Sequence, residues 1–234
     1  MRKLKVLVAC EESQRVCTAF RELGHEAYSC DIIEPSGEHP EWHIQDDALA
    51  VIDKSLHGRP IFTMNHDLIH LSGKWDIIIA HPPCTYLSAA GAVRLYDSNH
   101  QVKDYERYKK GVLAAEFFRA FLNADFEHIA VENPVPLKCY ALPKYTQIIQ
   151  PYFFGDPWKK KTCLWLKGLP PLQPDDVVQP KGYWIGAYGH DKAPYGMIKG
   201  FRSQKTRSKT FEGIARAMAE QWSTYILSGK EQSQ

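Results

Sequence analysis

Residues 75–88 read WDIIIAHPPCTYLS, and no other stretch restricts the fold as much. Four consecutive apolar residues, Ile77, Ile78, Ile79 and Ala80, stand between Asp76 and the break His81-Pro82-Pro83. A short, uninterrupted β-branched run bounded by polar residues predicts a strand covered on both faces, as in a parallel α/β sheet. The two prolines fix φ and remove two backbone donors, so the run ends in a stiff turn that presents Cys84 in a preset direction. In such sheets ligands and reacting groups gather beyond the carboxyl ends of the strands. Cys84 reads as a reacting thiol at that edge or as a small apolar residue packed into a Pro-rich loop.

With 234 residues, 44% of them hydrophobic and 24% charged, the chain is long enough for one main domain with a substantial core. We read residues 1–227 as that domain, 155–209 as a short basic, aromatic-rich contact region within it, and 228–234 as a disordered tail. No apolar run reaches the length of a membrane span. The opening MRKLKVLVAC runs into a strand-to-helix pattern instead of a cleavage-like site. Six scattered cysteines without a CxxC pair fit a reduced, cytoplasmic setting. The ten histidines show no spacing that completes a metal site, so no metal is expected. Charge is uneven: residues 159–209 carry eleven Lys or Arg and three Asp, a balance of +8 in a chain of formal charge +2. That asymmetry suits a polyanion-binding face, and equally a solvated basic surface.

Residues 5–9 read as the first strand. A helix follows from Ser13, its expected N-cap, because Val16, Ala19, Phe20 and Leu23 share a helical stripe and Gly24 closes it. Residues 25–30 read as a second strand ending at Asp31, where a carboxylate can accept hydrogen bonds from a ribose diol. The first turn, Cys10-Glu11-Glu12-Ser13, has no glycine and two carboxylates. It is a poor cradle for pyrophosphate, so a nucleoside cofactor without phosphates fits better than NAD or ATP. Asp46 and Asp47 flank a third strand end or cap a helix over 47–56, and residues 58–72 read as an insertion or lid.

A long helix is expected over 100–124, with Leu113, Phe117, Ala120 and Phe121 inward. The strand over 128–131 ends in Glu132-Asn133-Pro134 and so delivers a second polar group to a strand end. Antiparallel strands over 148–154 and 162–166 surround a turn with Lys159, Lys160 and Lys161. Residues 183–200 mix glycine with Tyr183, Trp184, Tyr188 and Tyr195, then run into Lys199, Arg202, Lys205, Arg207 and Lys209. Aromatics for stacking beside phosphate-seeking cations suit nucleic acid. A closing helix over 208–226 packs Phe211, Ile214, Ala215, Met218, Ala219 and Trp222 inward.

In this order the acidic strand end at Asp31, the turn at Asp46, Pro83-Cys84 and Glu132-Asn133 resemble the C5-cytosine DNA methyltransferases. That family carries a Pro-Cys nucleophile after its fourth strand and a Glu-Asn pair after its fifth. The resemblance implies an α/β, doubly wound, mostly parallel Rossmann-like methyltransferase sheet with helices on both faces and a small basic antiparallel or loop addition near the C-terminus. It implies S-adenosylmethionine as cofactor, held near Glu11, Ser13, Asp31, Asp46, Asp76 and Pro82. It also implies DNA as partner, met by Pro83, Ser88, Asn133, Lys160, Lys161, Arg202, Lys205 and Arg207. Cys84 would be the nucleophile and Glu132 the acid. The chain departs from the family in three ways: Ala9-Cys10-Glu11-Glu12-Ser13 replaces an aromatic and Gly-x-Gly turn, the arginine after the sixth strand has no clear counterpart, and the segment before the last helix is short for a target-recognition domain.

The chemistry explains the residue choice. Carbon 5 of cytosine is too weak a nucleophile toward a methyl sulfonium, so a thiolate first adds at carbon 6. A proton or hydrogen bond at ring nitrogen 3 favours the addition, and Glu132 supplies it if it holds or shares a proton near neutral pH. A target base in a duplex must be flipped out to reach such a pocket. Three rival readings stay open. His81-Pro82-Pro83-Cys84 is similar to the Asp-Pro-Pro-Tyr turn of adenine-N6 and cytosine-N4 DNA methyltransferases, the chain could be a non-catalytic nucleic-acid-binding protein on a degenerate scaffold, or the substrate could be RNA or a free nucleotide.

Overall fold

The computed structural model describes residues 2–71, 74–181 and 207–231. Among the described residues seven strands are formed: β1 (Lys5–Ala9), β2 (Glu26–Asp31), β3 (His43–Gln45), β4 (Ile77–Ala80), β5 (Ile129–Asn133), β6 (Gln147–Ile149) and β7 (Thr162–Lys167). They make one sheet in the order β3-β2-β1-β4-β5-β7-β6. β1 to β5 pair in parallel, and β7 runs antiparallel to both β5 and β6. The helices are α1 (Arg15–Glu22), α2 (Ala48–Leu56), α3 (Ala92–Leu95), α4 (Tyr105–Leu122) and α5 (Glu212–Glu231). This is the doubly wound, mostly parallel, Rossmann-like sheet that the sequence predicts, with the antiparallel strands extending one edge. From β1 the chain moves outward to β2 and β3 and then returns to β4 on the other side of β1. That reversal makes the carboxyl ends of β1 and β4 the topological switch point, where a crevice opens.

Alternation along the strands divides the core into two layers. Leu7, Ala9, Ile78, Ala80, Ile129 and Val131 pack with residues of α2 and α4, while Val6, Val8, Ile77, Ile79 and Ala130 pack with residues of α1 and α5. Covering both faces is what permits the unbroken run in β4, whose four residues are fully buried. Each isoleucine there contributes about 1.5–3 kcal/mol by burial.

Several local expectations shift. Helix α1 begins at Arg15, with Gln14 in the N-cap position at φ 58° and making no side-chain cap. Ser13 therefore does not cap it. Asp47, not Asp46, caps α2, accepting from the backbone N–H of Leu49 at 2.8 Å and Ala50 at 3.0 Å. In α4 the inward residues are Gly111, Ala115, Phe118 and Phe121, and Leu113 is 64% exposed. A Cβ on Gly111 would lie 2.0 Å from the Tyr140 hydroxyl oxygen, so the sheet-facing side of α4 is marked by a glycine that a count of apolar residues passes over. Helix α5 starts at Glu212 and continues through Ser228 to Glu231, across part of the expected disordered tail. Asp156 accepts from the Gly213 N–H at 3.0 Å and helps fix that start. No helix among the described residues is long and apolar enough to cross a membrane.

Candidate active site

The site forms where β4 and β5 end side by side. Ala80 pairs with Val131 in the parallel register, so the next residues along, His81 and Glu132, come level and turn to the same side. Their side chains meet, with His81 Nδ1 3.1 Å from Glu132 Oε2. Both are largely buried, 11% and 14% exposed. The His81 backbone N–H donates to the Ala9 carbonyl at 2.9 Å and continues the β1–β4 ladder by one rung. Immediately after it the prolines end the strand.

The turn that carries Cys84 is held from several directions. Asn133, 1% exposed, donates from Nδ2 to the Pro82 carbonyl at 2.8 Å. The N–H groups of Leu87 and Ser88 donate to the Cys84 carbonyl at 3.2 and 3.0 Å. Ser88 Oγ accepts from the Ala90 N–H at 3.2 Å and caps the short turn before α3. From α4, Arg107 Nη2 donates to the Thr85 carbonyl at 2.6 Å, and its guanidinium lies 5.0 Å from the Tyr86 ring centroid. The stiff turn read from Pro82-Pro83 is thus reinforced by side chains from two other elements.

Charge is distributed unevenly here. Burial pushes the Cys84 thiol up, the Glu132 carboxylate pushes it further, and Lys160 draws it partly back. At rest it is a thiol. Burial also disfavours ionised Glu132, but the hydrogen bond from His81 and the charge of Lys160 outweigh it and hold the carboxyl below its usual range. Glu132 therefore rests as a carboxylate at neutral pH, which leaves the shared-proton form of the sequence expectation. On β7, Cys163 pairs with Asn133 in the register, and burial together with Glu132 raises its thiol to about 12. Cys163 is fully buried in the core, whereas Cys84 sits partly exposed at the sheet edge. Lys160 follows the sixth strand, where the sequence offers Lys159, Lys160 or Lys161 in place of the arginine's charge. Its Nζ donates to the Arg207 carbonyl at 2.9 Å and its backbone N–H to Gln150 Oε1 at 3.0 Å.

The residues expected to hold a cofactor scatter. Asp31 does end β2, half-buried, accepting from the Ile33 N–H at 3.3 Å, and burial raises its carboxyl. Ile32 beside it is 71% exposed. Asp46 stands near that edge but pairs with Lys54 at 2.5 Å. Glu11 is 3% exposed, and its carboxylate accepts from the N–H groups of Val16 at 2.7 Å and Cys17 at 3.2 Å. It satisfies the first turn of α1, which corrects its reading as a cofactor ligand. Ser13 lies partly buried in the same loop.

Asp76 must also be reassigned. It sits at the amino end of β4, pairing with Arg2 and accepting from the Lys5 N–H at 2.9 Å. The four residues of β4 separate it from His81, about 16 Å along the sheet. Of the residues expected to meet DNA, Pro83 is exposed, Asn133 is buried under the turn, and Lys161 lies near Cys163. Arg207 reaches the site through its backbone carbonyl, while Arg202, Lys205 and the aromatics of 183–200 lie outside the described residues. Pro82 is buried. Among the described residues no group of three or more His, Cys, Asp or Glu is arranged to hold a metal ion. Sequence reasoning placed His81 only as the first residue of a turn similar to Asp-Pro-Pro-Tyr, although an ionisable side chain at a strand end, directly before the Pro-Pro break, was the available signal.

Fold and site together define a doubly wound α/β protein with a thiol, a carboxylate and an imidazole at adjoining strand ends beside the switch point. No protein-family model matches the chain, and no curated protein matches it. Solved structures do match, among them the Entamoeba histolytica methyltransferase EhMeth, at 13% identity and a TM-score of 0.38, over 76% of this chain and 58% of that one. The chain thus spans less than two thirds of that protein's length. The functional reading therefore rests on the site.

Proposed function

We propose that this protein is an S-adenosylmethionine-dependent methyltransferase that acts on carbon 5 of cytosine in DNA through a covalent Cys84 adduct. The observation that carries the reading is that Cys84, in the turn after β4, lies close enough to Glu132 at the end of neighbouring β5 for the carboxylate to push the thiol up. A nucleophile and a proton carrier side by side at a sheet edge are what addition to carbon 6 requires.

The two protonation states close the proton ledger. Cys84 rests as a thiol and Glu132 as a carboxylate. As sulfur bonds to carbon 6, the thiol proton passes to Glu132 and from there to ring nitrogen 3, while the carbon 5–carbon 6 π pair shifts toward carbon 5. Glu132 needs no resident proton, since the nucleophile supplies it. Lys160 stabilises negative charge on sulfur and carboxylate while that proton is in transit. Bound S-adenosylmethionine supplies an activated methyl group at the electron-rich carbon 5.

The donor side offers a set of groups that suits this cofactor. Asp31 presents a strand-end carboxylate to a ribose diol, and exposed Ile32 offers an apolar surface to a purine. The turn after β1 has no glycine, and the Glu11 carboxylate already takes the N–H groups of Val16 and Cys17 at the start of α1, so the donors a pyrophosphate would need are spent, which favours a nucleoside without phosphates. Asn133 and Arg107 keep the Cys84 turn in place and act through the backbone.

The test is methyl transfer by purified protein to cytosine-containing DNA with labelled S-adenosylmethionine. The expected outcome is label at carbon 5 and a covalent complex at Cys84 on DNA bearing 5-fluorocytosine, with both lost in Cys84→Ser. Label on an exocyclic amino group, or neither label nor complex, overturns the proposal.

A further inference from the structure

The reaction at carbon 5 needs one more group than Cys84 and Glu132 provide. Once the methyl group is in place, carbon 5 still carries its hydrogen, and the adduct cannot collapse until a base removes it. Glu132 is committed to ring nitrogen 3, and the thiol sulfur is bonded to carbon 6.

We infer that His81 is this base and acts through Nε2. The inference rests on the cytosine reading above and adds a catalytic residue to it. Nδ1 faces the Glu132 carboxylate at 3.1 Å. With a carboxylate as its partner, Nδ1 carries a proton, so Nε2 is the nitrogen left to accept one. Nε2 is buried and has no hydrogen-bond partner among the described residues. A carboxylate that fixes the tautomer and leaves the far nitrogen without a protein partner is the arrangement of a general base. The ring is also placed for the task. Its backbone is locked to β1 by the bond to the Ala9 carbonyl, it lies three residues before Cys84, and it stands at the switch point between β1 and β5. The charged groups around it are Glu132 at the end of β5 and Glu11 in the loop after β1, and Lys160 before β7 acts on Glu132 in turn.

The step balances. Nε2 takes the proton from carbon 5, the pair from that C–H bond restores the carbon 5–carbon 6 double bond, and the carbon 6–sulfur bond breaks to release Cys84. The proton on ring nitrogen 3 returns through Glu132 to the departing sulfur. The net product is one proton, left on His81 as imidazolium and then lost to water.

The test follows covalent enzyme–DNA complex and turnover on ordinary cytosine DNA with S-adenosylmethionine, in the wild type, His81→Gln and His81→Ala. Glutamine keeps a donor toward Glu132 but cannot act as a base, so His81→Gln separates positioning from proton removal. The expected result is one methyl group transferred per His81→Gln molecule, a methylated covalent complex that persists under denaturation, and turnover lowered about 100-fold or more. Added imidazole should release the stalled complex in His81→Ala. Wild-type turnover in His81→Gln overturns the inference, as does failure of that variant to form the adduct while the wild type forms it. If the wild type forms no adduct even on 5-fluorocytosine DNA and transfers no methyl group, the cytosine reading fails first and takes the inference with it.

Discussion

The two halves of the sheet's carboxyl edge use their carboxylates in opposite ways. At the ends of β4 and β5, Glu132 is held ionised by His81 and Lys160 and stands close to the Cys84 thiol. At the ends of β1 to β3, most acidic groups are occupied by the fold itself: Glu11 by the amino end of α1, Asp46 by Lys54, and Asp47 by the first turn of α2. Only Asp31 ends a strand there without an ion-pair partner among the described residues. An acidic residue near a strand end is thus a weak guide by itself. Its meaning depends on whether a helix amino terminus or a lysine lies within reach, because either satisfies the charge.

This contrast can be broken or sharpened by substitution. The largest effect should come from Glu132→Gln, which keeps the shape but removes the proton carrier. Methyl transfer should fall by about 10²–10⁴-fold with cofactor affinity unchanged, and an equal loss in both would place Glu132 on the donor side instead. The same variant reports on pH. Because Glu132 is held below its ordinary value of 4.5, its charge stabilises the fold fully above that value, and the contribution is lost as pH falls through the depressed folded value. Urea unfolding of the wild type should therefore lose stability on acidification relative to Glu132→Gln, and parallel curves would remove the argument.

Next in size is the buried cap. Glu11→Ala leaves two N–H groups of α1 unsatisfied and should cost about 1–3 kcal/mol in chemical denaturation. If stability holds while S-adenosylmethionine binding collapses, Glu11 is a ligand after all. On the donor side, Asp31→Ala should weaken S-adenosylmethionine binding by about tenfold, equivalent to about 1.4 kcal/mol, while Asp76→Asn leaves it within error. Isothermal titration decides between them, and equal losses would undo the assignment of Asp76 to the far edge. The smallest expected effect is Leu113→Lys on the outer face of α4, within about 0.5 kcal/mol. Phe118→Ala on the inner face should cost about 3–5 kcal/mol.

Much of the framework was legible because it is local. The β-branched run of β4, the stripe of α1 with its closing glycine, the Pro-Pro turn and the apolar face of α5 are each specified by neighbours a few residues apart. Helix α4 shows where this fails. A leucine at position 113 pulls the expected stripe outward, while the packed face is set by Gly111 against Tyr140, a contact with a residue 29 positions further along. The helix ends moved for a similar reason, since Glu11 and Asp156 reach their N–H partners across loops.

The sequence by itself determined that Cys84 leaves a buried strand in a fixed direction and that Glu132 ends another. Both statements depend only on apolar runs and prolines. Tertiary structure decided that His81 stands beside Glu132, 51 residues away, because strand order makes β4 and β5 neighbours and register sets their ends level. It also decided that Asp76 faces away from the site and that Glu11 serves a helix. Strand order and register are properties of the assembled sheet: they fix which polar groups meet, and a meeting of groups distant in the chain leaves no trace in the spacing of either one.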